Sequence, residues 1–272
     1  MSRFKIANIV LYGIISLWSI FVLLPILWMV FAAFKTRREI FTDPLGLPDG
    51  LNFASFERAW KTGLGTFMVN STIATALSVL IIIVVSGMAA YVLARSDNKW
   101  LQVIYLLVVA CFAVPVTAVL VPLYQMVSAA GFLNNRFAIA LPYAAFGIPF
   151  TTILFYAFFL DFPRELEEAA RLDGCSRMQI FFRVIVPLSG PAVASAAIFQ
   201  AVFIWNEFLL AVLMLTSPNM KTLPVGLLQL QGEFTSDWPA IMAGLALATL
   251  PILLIFVLAQ KYFVRSLAGL GK

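Results

Sequence analysis

The chain has 272 residues, of which 62% are hydrophobic and 11% are charged, and its mean hydropathy is +0.98. Soluble globular domains contain about 45–50% apolar and about 25% charged residues, so this composition excludes a soluble protein and indicates an integral membrane protein. The formal charge of +5 is not gathered into a basic segment with interleaved aromatic residues, which argues against nucleic-acid binding.

Six apolar segments are long enough to cross a lipid bilayer, since a spanning helix needs about 20 mainly apolar residues. In chain order they cover residues 9–34, 67–94, 101–127, 137–160, 188–215 and 238–262. The segments are long and do not alternate between apolar and polar residues, which favours helices over the strands of a membrane barrel. The sequence therefore predicts an all-α membrane protein that forms a single domain over residues 1–272.

The charges at the ends of these segments predict their orientation. The first segment follows Arg3 and Lys5, and it is longer than the apolar core of about 7–15 residues in a secretory signal, so we expect it to be retained. Basic residues are more frequent in the loops on the N-terminal side, which include Arg95, Lys99 and residues 161–187, than in the other loops. Because cytoplasmic loops are enriched in Lys and Arg, both termini and loop 161–187 are predicted to be cytoplasmic.

Five of the prolines inside the predicted spans are expected to kink them. They are Pro115 and Pro122 in the third segment, Pro142 and Pro149 in the fourth, and Pro251 in the sixth. Each proline removes a backbone hydrogen bond from a helix, and its ring collides with the preceding turn. Proline is common in spanning helices, so no functional role is assigned to any one of them.

The loop between the fourth and fifth segments contains a predicted short helix that begins near Pro163. Proline has a preset φ that suits a first helical turn, and Gly174 can adopt the left-handed conformation that ends a helix. The helical period separates a docking face from a solvated face. The docking face comprises Leu166, Ala169, Ala170 and Asp173, and the solvated face comprises Arg164, Glu167, Glu168 and Arg171.

The spacing of this loop resembles the EAA loop of importer-type ABC transporter permeases. The matching residues are Glu168-Ala169-Ala170, Gly174 and Val184-Ile185-Val186-Pro187, with two valines where the pattern has isoleucine and leucine. The resemblance implies a coupling helix that sits in a groove of a separate ATPase subunit. The residues assigned to this coupling role are Glu165, Leu166, Glu168, Ala169, Ala170, Asp173, Gly174 and Pro187. An ordinary amphipathic connector between two spans is the alternative interpretation.

The sequence Trp205-Asn206-Glu207 places polar side chains inside the fifth apolar segment. A carboxylate at the centre of a span costs about 2.5–3.5 kcal/mol, so another group should offset the charge of Glu207. At a rise of 1.5 Å per residue from Leu188, Glu207 is expected about 27 Å along the helix, towards the outer half of the membrane. One interpretation places these three residues on a translocation path, where they bind a hydroxyl-rich solute or close an external gate. The other is a polar pair bonded to a neighbouring span, and both interpretations stay open.

The sequence predicts no catalytic site and no metal or cofactor site on this chain. Histidine is absent, and Cys111 and Cys175 fall at different levels of the predicted membrane, where they cannot form a disulfide. A Walker A loop, whose backbone amides hold the phosphates of a nucleotide, is also missing from the sequence. ATP and magnesium are therefore expected on a partner ATPase subunit.

Further stretches outside the EAA spacing resemble the MalG-like branch of carbohydrate ABC importers. They are Asn70-Ser71, Gly131-Phe132-Leu133-Asn134, Leu141-Pro142-Tyr143, Ile148-Pro149-Phe150, the stretch from Phe162 to Ala170, Trp205-Asn206-Glu207-Phe208 and Thr222-Leu223-Pro224-Val225-Gly226-Leu227. The last seven residues are only loosely similar to the tail of that branch. The resemblance implies a type I ABC importer permease with six transmembrane helices and a cytoplasmic coupling helix, located in a bacterial-type inner membrane.

The same resemblance implies the partners and the solute. The partners are a homologous second permease subunit, two ATPase subunits and an extracytoplasmic solute-binding protein, and the solute is a sugar, oligosaccharide, polyol or sugar derivative. An ABC permease for a non-sugar solute is the nearest alternative. A more distant one is an ion-coupled secondary transporter in which Glu207 exchanges a proton or pairs with sodium, although such carriers need several titratable or oxygen-rich groups at the midplane. A further alternative is a membrane-anchored scaffold without transport activity, but it leaves the EAA spacing unexplained.

Overall fold

The computed structural model describes residues 2–231 and 236–269, and within these ranges it describes the side chains of residues 8–257. No β-strand occurs in these ranges, apart from an isolated bridge between Gln231 and Ser236. The helices are α1 (Ser2–Phe34), α2 (Arg37–Thr42), α3 (Ala54–Lys61), α4 (Leu64–Ala94), α5 (Lys99–Phe112), α6 (Val116–Ala129), α7 (Ala140–Leu160), α8 (Glu165–Leu172), α9 (Arg177–Ile180), α10 (Val186–Leu188), α11 (Gly190–Trp205), α12 (Leu209–Met214), α13 (Leu223–Leu227) and α14 (Trp238–Gly269). A π-helical turn, Phe181–Ile185, connects α9 to α10.

Four helical stretches are each long and apolar enough to cross a membrane. They are Asn8–Phe34, Leu64–Ala94, Ala140–Leu160 and Trp238–Val257. Two more spans are bent pairs of helices, namely α5 with α6, and Arg177–Leu188 with α11. When each bent pair is counted as one span, the described residues form six transmembrane segments. The predicted all-α membrane class with six spans is confirmed.

The third predicted span, residues 101–127, is broken at one of the prolines that were expected to kink it. The axes of α5 and α6 differ by 100°. Pro115 lies between them in an extended conformation, with φ −68° and ψ 134°. Because proline has no N–H and drives the preceding residue out of the helical region, α5 cannot continue through it. An interruption expected from proline is thus confirmed at this position, whereas Pro122, Pro149 and Pro251 lie inside helices.

The fifth predicted span, residues 188–215, contains two helices, because α11 ends at Trp205 and α12 begins at Leu209. The chain bends by 75° between Arg177–Leu188 and α11. At this bend the Ser189 hydroxyl donates to the carbonyl of Ile185 (2.7 Å), which keeps a buried polar group bonded. A non-helical segment, residues 206–208, then separates α11 from α12. This second break carries the polar residues that the sequence analysis identified.

The chain divides into two compact units. The smaller unit contains the chain up to Gly65 together with Gly226–Pro251. In this unit, Phe34 at the end of α1 packs against Phe53 and Phe56 near α3, with ring centroids 5.4 and 5.0 Å apart. The apolar side chains of α1 from Ile9 to Leu27 are exposed. The helix is therefore attached to its own unit mainly at its C-terminal end.

Three charged side chains fix the loops of the smaller unit. Arg58 and Asp237 form a two-bonded ion pair, with Nε–Oδ2 and Nη2–Oδ1 distances of 2.6 and 3.2 Å. Burial raises the pKa of Asp237, but the hydrogen bonds from Arg58 and from the backbone N–H of Ala240 outweigh burial, so this pKa lies below its usual value. Lys35 is fully buried, and its ammonium group donates to the carbonyl of Asp43 (2.7 Å).

The larger unit contains Thr66–Val225 and the chain from Ile252. In it, α4, α7 and α11 pack closely around buried polar side chains. The Gln200 amide donates to the carbonyl of Gly147 (3.1 Å) and to the Thr151 hydroxyl (2.9 Å). A Cβ added at Gly147 would lie 2.4 Å from Cδ1 of Ile82 and 3.0 Å from Oε1 of Gln200. A side chain at this helix crossing would have to displace Ile82, and the donors of the Gln200 amide are bonded within the protein, as a membrane interior favours.

Candidate coupling helix and membrane cavity

Helix α8 forms the short helix predicted for loop 161–187, and its ends are set by backbone geometry. Arg164 is the N-cap, so Pro163 precedes the first turn and does not form it. At the other end, Gly174 has a φ of +79°. The N–H of Cys175 donates to the carbonyl of Ala170 (3.0 Å), which closes the last turn in the manner of a glycine-terminated helix. The left-handed conformation predicted for Gly174 is confirmed.

Glu167 lies on the buried side of α8 and forms an ion pair with Arg95 at the end of α4. The distance between Nε and Oε1 is 2.6 Å, and the side chains of Arg95 and Glu167 are 11% and 4% exposed. The Tyr91 hydroxyl donates to the other carboxylate oxygen (2.9 Å), and Arg95 also donates to the carbonyl of Phe162 (2.8 Å). The expectation that Glu167 faces solvent is wrong. The helical period alone did not show that a cation 72 positions earlier in the chain lies against this face.

Aromatic side chains hold α8 against the neighbouring helices. Tyr91 of α4 contacts Phe159 of α7 and Phe181 of the π-helical turn, with ring centroids 5.9 and 5.2 Å apart. Ala170 and Ile180 are buried in the same cluster. Tight aromatic packing around a fully bonded ion pair makes a rigid attachment. Helix α8 is therefore fixed to α4 and α7 through its inner face.

The outer face of α8 carries most of the residues predicted for coupling. Exposed members of that set are Glu165, Leu166, Glu168, Ala169, Asp173 and Gly174, together with Pro187 in α10. Ala170 is only 8% exposed and packs inward. Leu172, which the sequence analysis did not single out, is 90% exposed beside the acidic residues. The sequence feature that could have identified Leu172 is its position, because it is an apolar residue in the last turn, two positions before the glycine that ends the helix.

The chain after α8 returns towards the spans through a capped helix with a π-helical turn. Ser176 and Gln179 form a capping box, in which the N–H of Ser176 donates to Oε1 of Gln179 (2.8 Å). The π-helical turn, Phe181–Ile185, comes directly before α10, which contains Pro187. Proline cannot donate to the preceding turn and crowds its carbonyl, and a wider π turn relieves that crowding. Pro187 is part of the EAA spacing, whereas nothing in that spacing predicts the π-helical turn before it.

The break between α11 and α12 is the second candidate site. Asn206 is the C-cap of α11, and its side chain donates to the carbonyl of Val202 (2.8 Å). The Glu207 carboxylate accepts hydrogen bonds from the backbone N–H groups of Leu210 (2.8 Å) and Ala211 (3.2 Å) at the start of α12. Glu207 is therefore not inside a continuous helix. The break itself supplies the free backbone donors that offset the cost of the carboxylate.

A cavity of about 210 Å³ lies beside this break in the larger unit. Its lining comprises Val116, Tyr143, Phe146, Phe203, Ile204, Glu207, Leu209 and Leu210. The Tyr143 hydroxyl is buried and makes no hydrogen bond of normal geometry with the described residues, although Glu207 lies near enough to interact with it electrostatically. Of the three residues predicted here, only Glu207 lines the cavity, whereas Trp205 is buried and Asn206 is exposed.

The two sites offer hydrogen bonding, charge and apolar contact. Within residues 2–231 and 236–269, no three acidic or cysteine side chains are grouped so that they could hold a metal ion. Cys111 is exposed and Cys175 is half-buried, and both are free thiols.

Comparisons with known proteins agree with these features. The family model described as "Binding-protein-dependent transport system inner membrane component" matches residues 82–269. The probable ABC transporter permease protein YurM of Bacillus subtilis is 39% identical over 253 residues, which cover 93% of this chain and 84% of that protein. The sulfoquinovosyl glycerol transport system permease protein SmoH of Agrobacterium fabrum is 37% identical over 251 residues, or 92% of this chain and 88% of that protein. In fold, the chain is similar to a chain of a bacterial ABC transporter involved in the import of the acidic polysaccharide alginate, with a TM-score of 0.83, 23% identity, and coverage of 95% of this chain and 97% of that one.

Proposed function

The chain belongs to the family of binding-protein-dependent transport system inner membrane components, and on that premise we propose that it is the permease subunit of an ATP-driven importer for a sugar, oligosaccharide, polyol or sugar derivative. The SmoH relative is named for the transport of a sugar derivative, and the alginate importer carries a polysaccharide. The observation that carries the proposal is the geometry of α8. This end-capped helix at EAA spacing has an inner face bonded to the spans and an outer face left for a partner.

Helix α8 transmits the movement of an ATPase subunit to the spans. Its exposed face combines the carboxylates of Glu165 and Glu168 with the apolar side chains of Leu166 and Leu172. Protein interfaces have this mixture of apolar contacts and polar surroundings. A force on α8 passes to α4 through the buried carboxylate of Glu167. Shifting the population ratio of two conformations of the assembly from 1:99 to 99:1 takes about 5.5 kcal/mol of differential binding. The attachment of α8 must be stiff enough to deliver that energy.

The transporter contains further subunits. They are a homologous second permease, two ATPase subunits that bind ATP and magnesium, and an extracytoplasmic binding protein that delivers the solute. The present chain acts as one permease domain over residues 1–272 in a bacterial-type inner membrane, with α8 and both termini in the cytoplasm. The ATPases supply the hydrolysis, and this chain supplies part of the pathway.

The cavity beside Glu207 contributes to the solute pathway. Glu207 accepts hydrogen bonds, the Tyr143 hydroxyl lies near the Glu207 carboxylate, and Phe203 offers an aromatic surface. Sugars combine hydroxyl groups with apolar ring faces, so these three kinds of group suit them. The lining contains a carboxylate and no cation, which favours a neutral, hydroxyl-rich solute at this point over an anionic one. Asn206 and Trp205 support the break and do not line the cavity.

Transport by the reconstituted assembly tests the proposal. The chain is purified with its partner subunits, placed in liposomes, and supplied with binding protein and a panel of labelled sugars, amino acids and polyamines. We expect uptake of a carbohydrate only with ATP at the ATPase side, and faster ATP hydrolysis when the loaded binding protein is present. Uptake of a non-sugar solute would reassign the substrate class. Uptake by this chain alone, driven by an ion gradient without ATP, would show a secondary carrier instead.

A further inference from the structure

A second cavity, of about 330 Å³, lies where the end of α4 and the start of α5 meet α8 and α9. Its volume falls within the range of about 300–1,000 Å³ that is typical of ligand pockets. Its lining includes Arg95, Arg171 and Arg177, together with the carboxylate of Asp97. All of these residues belong to the larger unit. Neither the contact of α8 with an ATPase nor the cavity at Glu207 accounts for this cluster of arginines.

The charges in this cavity are not balanced by the chain itself. Arg95 is already paired with Glu167 at 2.6 Å. The side chains of Arg171 and Arg177 form neither an ion pair nor a hydrogen bond with the part of the chain that the structure describes. Asp97 is the one other carboxylate among the described lining residues, so two free guanidinium groups face a single negative charge. The cavity therefore has room for an anion, and guanidinium groups bind phosphate oxygens in a paired geometry.

An apolar surface on α4 leads along the span to these arginines. Val85, Met88 and Val92 are 44%, 37% and 52% exposed, and their spacing of three and four places them on one face of the helix. Met88 and Val92 also line the cavity. Trp100, at the start of α5, is 78% exposed, and tryptophan is enriched where membrane spans meet the lipid headgroups. The apolar face and the cationic cavity thus meet at headgroup depth.

We propose that this cavity is a binding site for a phospholipid with an anionic headgroup. The phosphate lies between Arg171 and Arg177, and an acyl chain lies along Val85, Met88 and Val92. An anionic headgroup is favoured over a zwitterionic one because Asp97 cancels only one of the two free positive charges, and a zwitterion brings no net charge to cancel the other. A soluble phosphate or an acidic segment of a partner protein matches the charge but leaves the apolar face uncovered. The lipid joins α4 and α5 to α8 and α9 from outside the protein.

Lipid retention on the assembled transporter tests this site. The transporter is reconstituted in nanodiscs of phosphatidylcholine and phosphatidylglycerol, extracted in mild detergent, and examined by native mass spectrometry. We expect the wild type to retain one more phosphatidylglycerol per copy of this chain than either Arg171→Gln or Arg177→Gln. Arg183→Gln is the matched control, because it removes one positive charge from the neighbouring π-helical turn outside the cavity lining. It should retain lipid like the wild type, and inorganic phosphate should not displace that lipid.

The alternative outcomes assign the arginines differently. The lipid site would be overturned if the wild type and all variants retained the same amount of phosphatidylglycerol. It would also be overturned if the wild type retained as much phosphatidylcholine as phosphatidylglycerol. Displacement by inorganic phosphate would identify a soluble anion as the ligand, and loss of the ATPase subunits while lipid is retained would identify a protein contact. If Arg177→Gln does not assemble, Arg177→Lys serves in its place, since it keeps the charge but loses the paired geometry. Its retention should then fall between that of the wild type and Arg171→Gln, and full retention would contradict the proposal.

Discussion

The buried carboxylate of Glu167 shows how one residue determines the role of the loop that carries it. Its two oxygens are bonded to Tyr91 in the last turns of α4 and to Arg95 directly after that helix. A buried ion pair adds little net stability in itself, yet removing one partner leaves an uncompensated charge in a medium that solvates it poorly. Glu167 therefore acts through Arg95 as a positioning residue. It determines where α8 sits, while its neighbours on the outer face are free to meet a partner.

Glu167→Ala is expected to destabilise the chain by about 3–5 kcal/mol, because the guanidinium of Arg95 stays buried without its partner. The measurement is the unfolding midpoint of the purified chain in detergent. Glu168→Ala is the matched control, since it removes a carboxylate from the adjacent exposed position, and its effect should stay within about 0.5 kcal/mol. Equal midpoints for the two variants would show that the ion pair does not hold α8 in place.

Glu207 combines two tasks at one residue, since its carboxylate caps α12 and also lines the cavity. Glu207→Gln keeps an acceptor oxygen for the backbone donors but removes the negative charge and one acceptor from the cavity. We expect a small change in thermal stability and at least a several-fold loss of solute uptake. Uptake assays over a range of solute concentrations separate affinity from maximal rate. Normal uptake with normal affinity would leave Glu207 with the structural task alone.

At the scale of the helix, the proposal that α8 acts as a lever depends on its two defined ends and its bonded inner face. Gly174 ends it in a left-handed conformation, and the capping box at Ser176 starts the next helix. Three carboxylates in its first turn also interact favourably with the positive, N-terminal end of the helix dipole. The prolines act at the same scale. Pro115 divides a span, and Pro187 follows a π-helical turn, so both redirect the chain where the spans begin or bend.

Gly174→Leu is expected to uncouple ATP hydrolysis from uptake while leaving membrane insertion intact. An added Cβ meets no atom within 4 Å, so the cost comes from the φ of +79° and amounts to about 1–2 kcal/mol of backbone strain. The measurement is solute taken up per ATP hydrolysed in proteoliposomes. Gly190→Leu is the control, because Gly190 also has open space but no left-handed backbone. Normal uptake with normal stimulated hydrolysis in the Gly174 variant would remove the lever assignment.

Glu168→Lys tests the outer face of the same helix. The substitution reverses an exposed charge in the first turn of α8 and opposes the helix dipole without touching the buried ion pair. We expect normal insertion and near-normal thermal stability, with weaker binding of the ATPase subunits and lower uptake. Co-purification of the ATPases with the tagged chain gives the measurement. Unchanged co-purification together with unchanged uptake would exclude this face as the docking surface.

For the whole molecule, the six spans impose an orientation that every functional assignment shares. Helix α8 can receive a signal from an ATPase only if it faces the cytoplasm. The bias of Lys and Arg towards the loops on that side predicts this orientation. The same orientation puts the Arg171 and Arg177 cavity at the cytoplasmic leaflet, where anionic lipids create a negative surface potential. Both coupling to an ATPase and binding of an anionic lipid at the cytoplasmic leaflet therefore require that the chain is inserted in this direction.

Reporter fusions measure this orientation directly. Alkaline phosphatase fused after Gly50, in the loop that follows α2, is expected to be active because that enzyme folds only outside the cytoplasm. The same reporter fused after Gly174 is expected to be inactive, whereas a green fluorescent protein fused there should fluoresce. Expression levels of the two fusions serve as the internal control. The opposite pattern would place α8 outside the cell and exclude contact with an ATPase.

The sequence by itself determined the membrane class, the six apolar segments, the position of α8 and the left-handed Gly174, because hydropathy, helical period and turn chemistry are local properties. Only the tertiary structure decided that Glu167 is buried, that Glu207 caps a new helix at a break, and that Arg95, Arg171 and Arg177 line one cavity. Arg95 and Glu167 are 72 positions apart in the chain, and no local pattern specifies such a contact. Packing in three dimensions brings these groups together, and the cost of leaving charged and backbone polar groups unpaired away from water is what selects their partners.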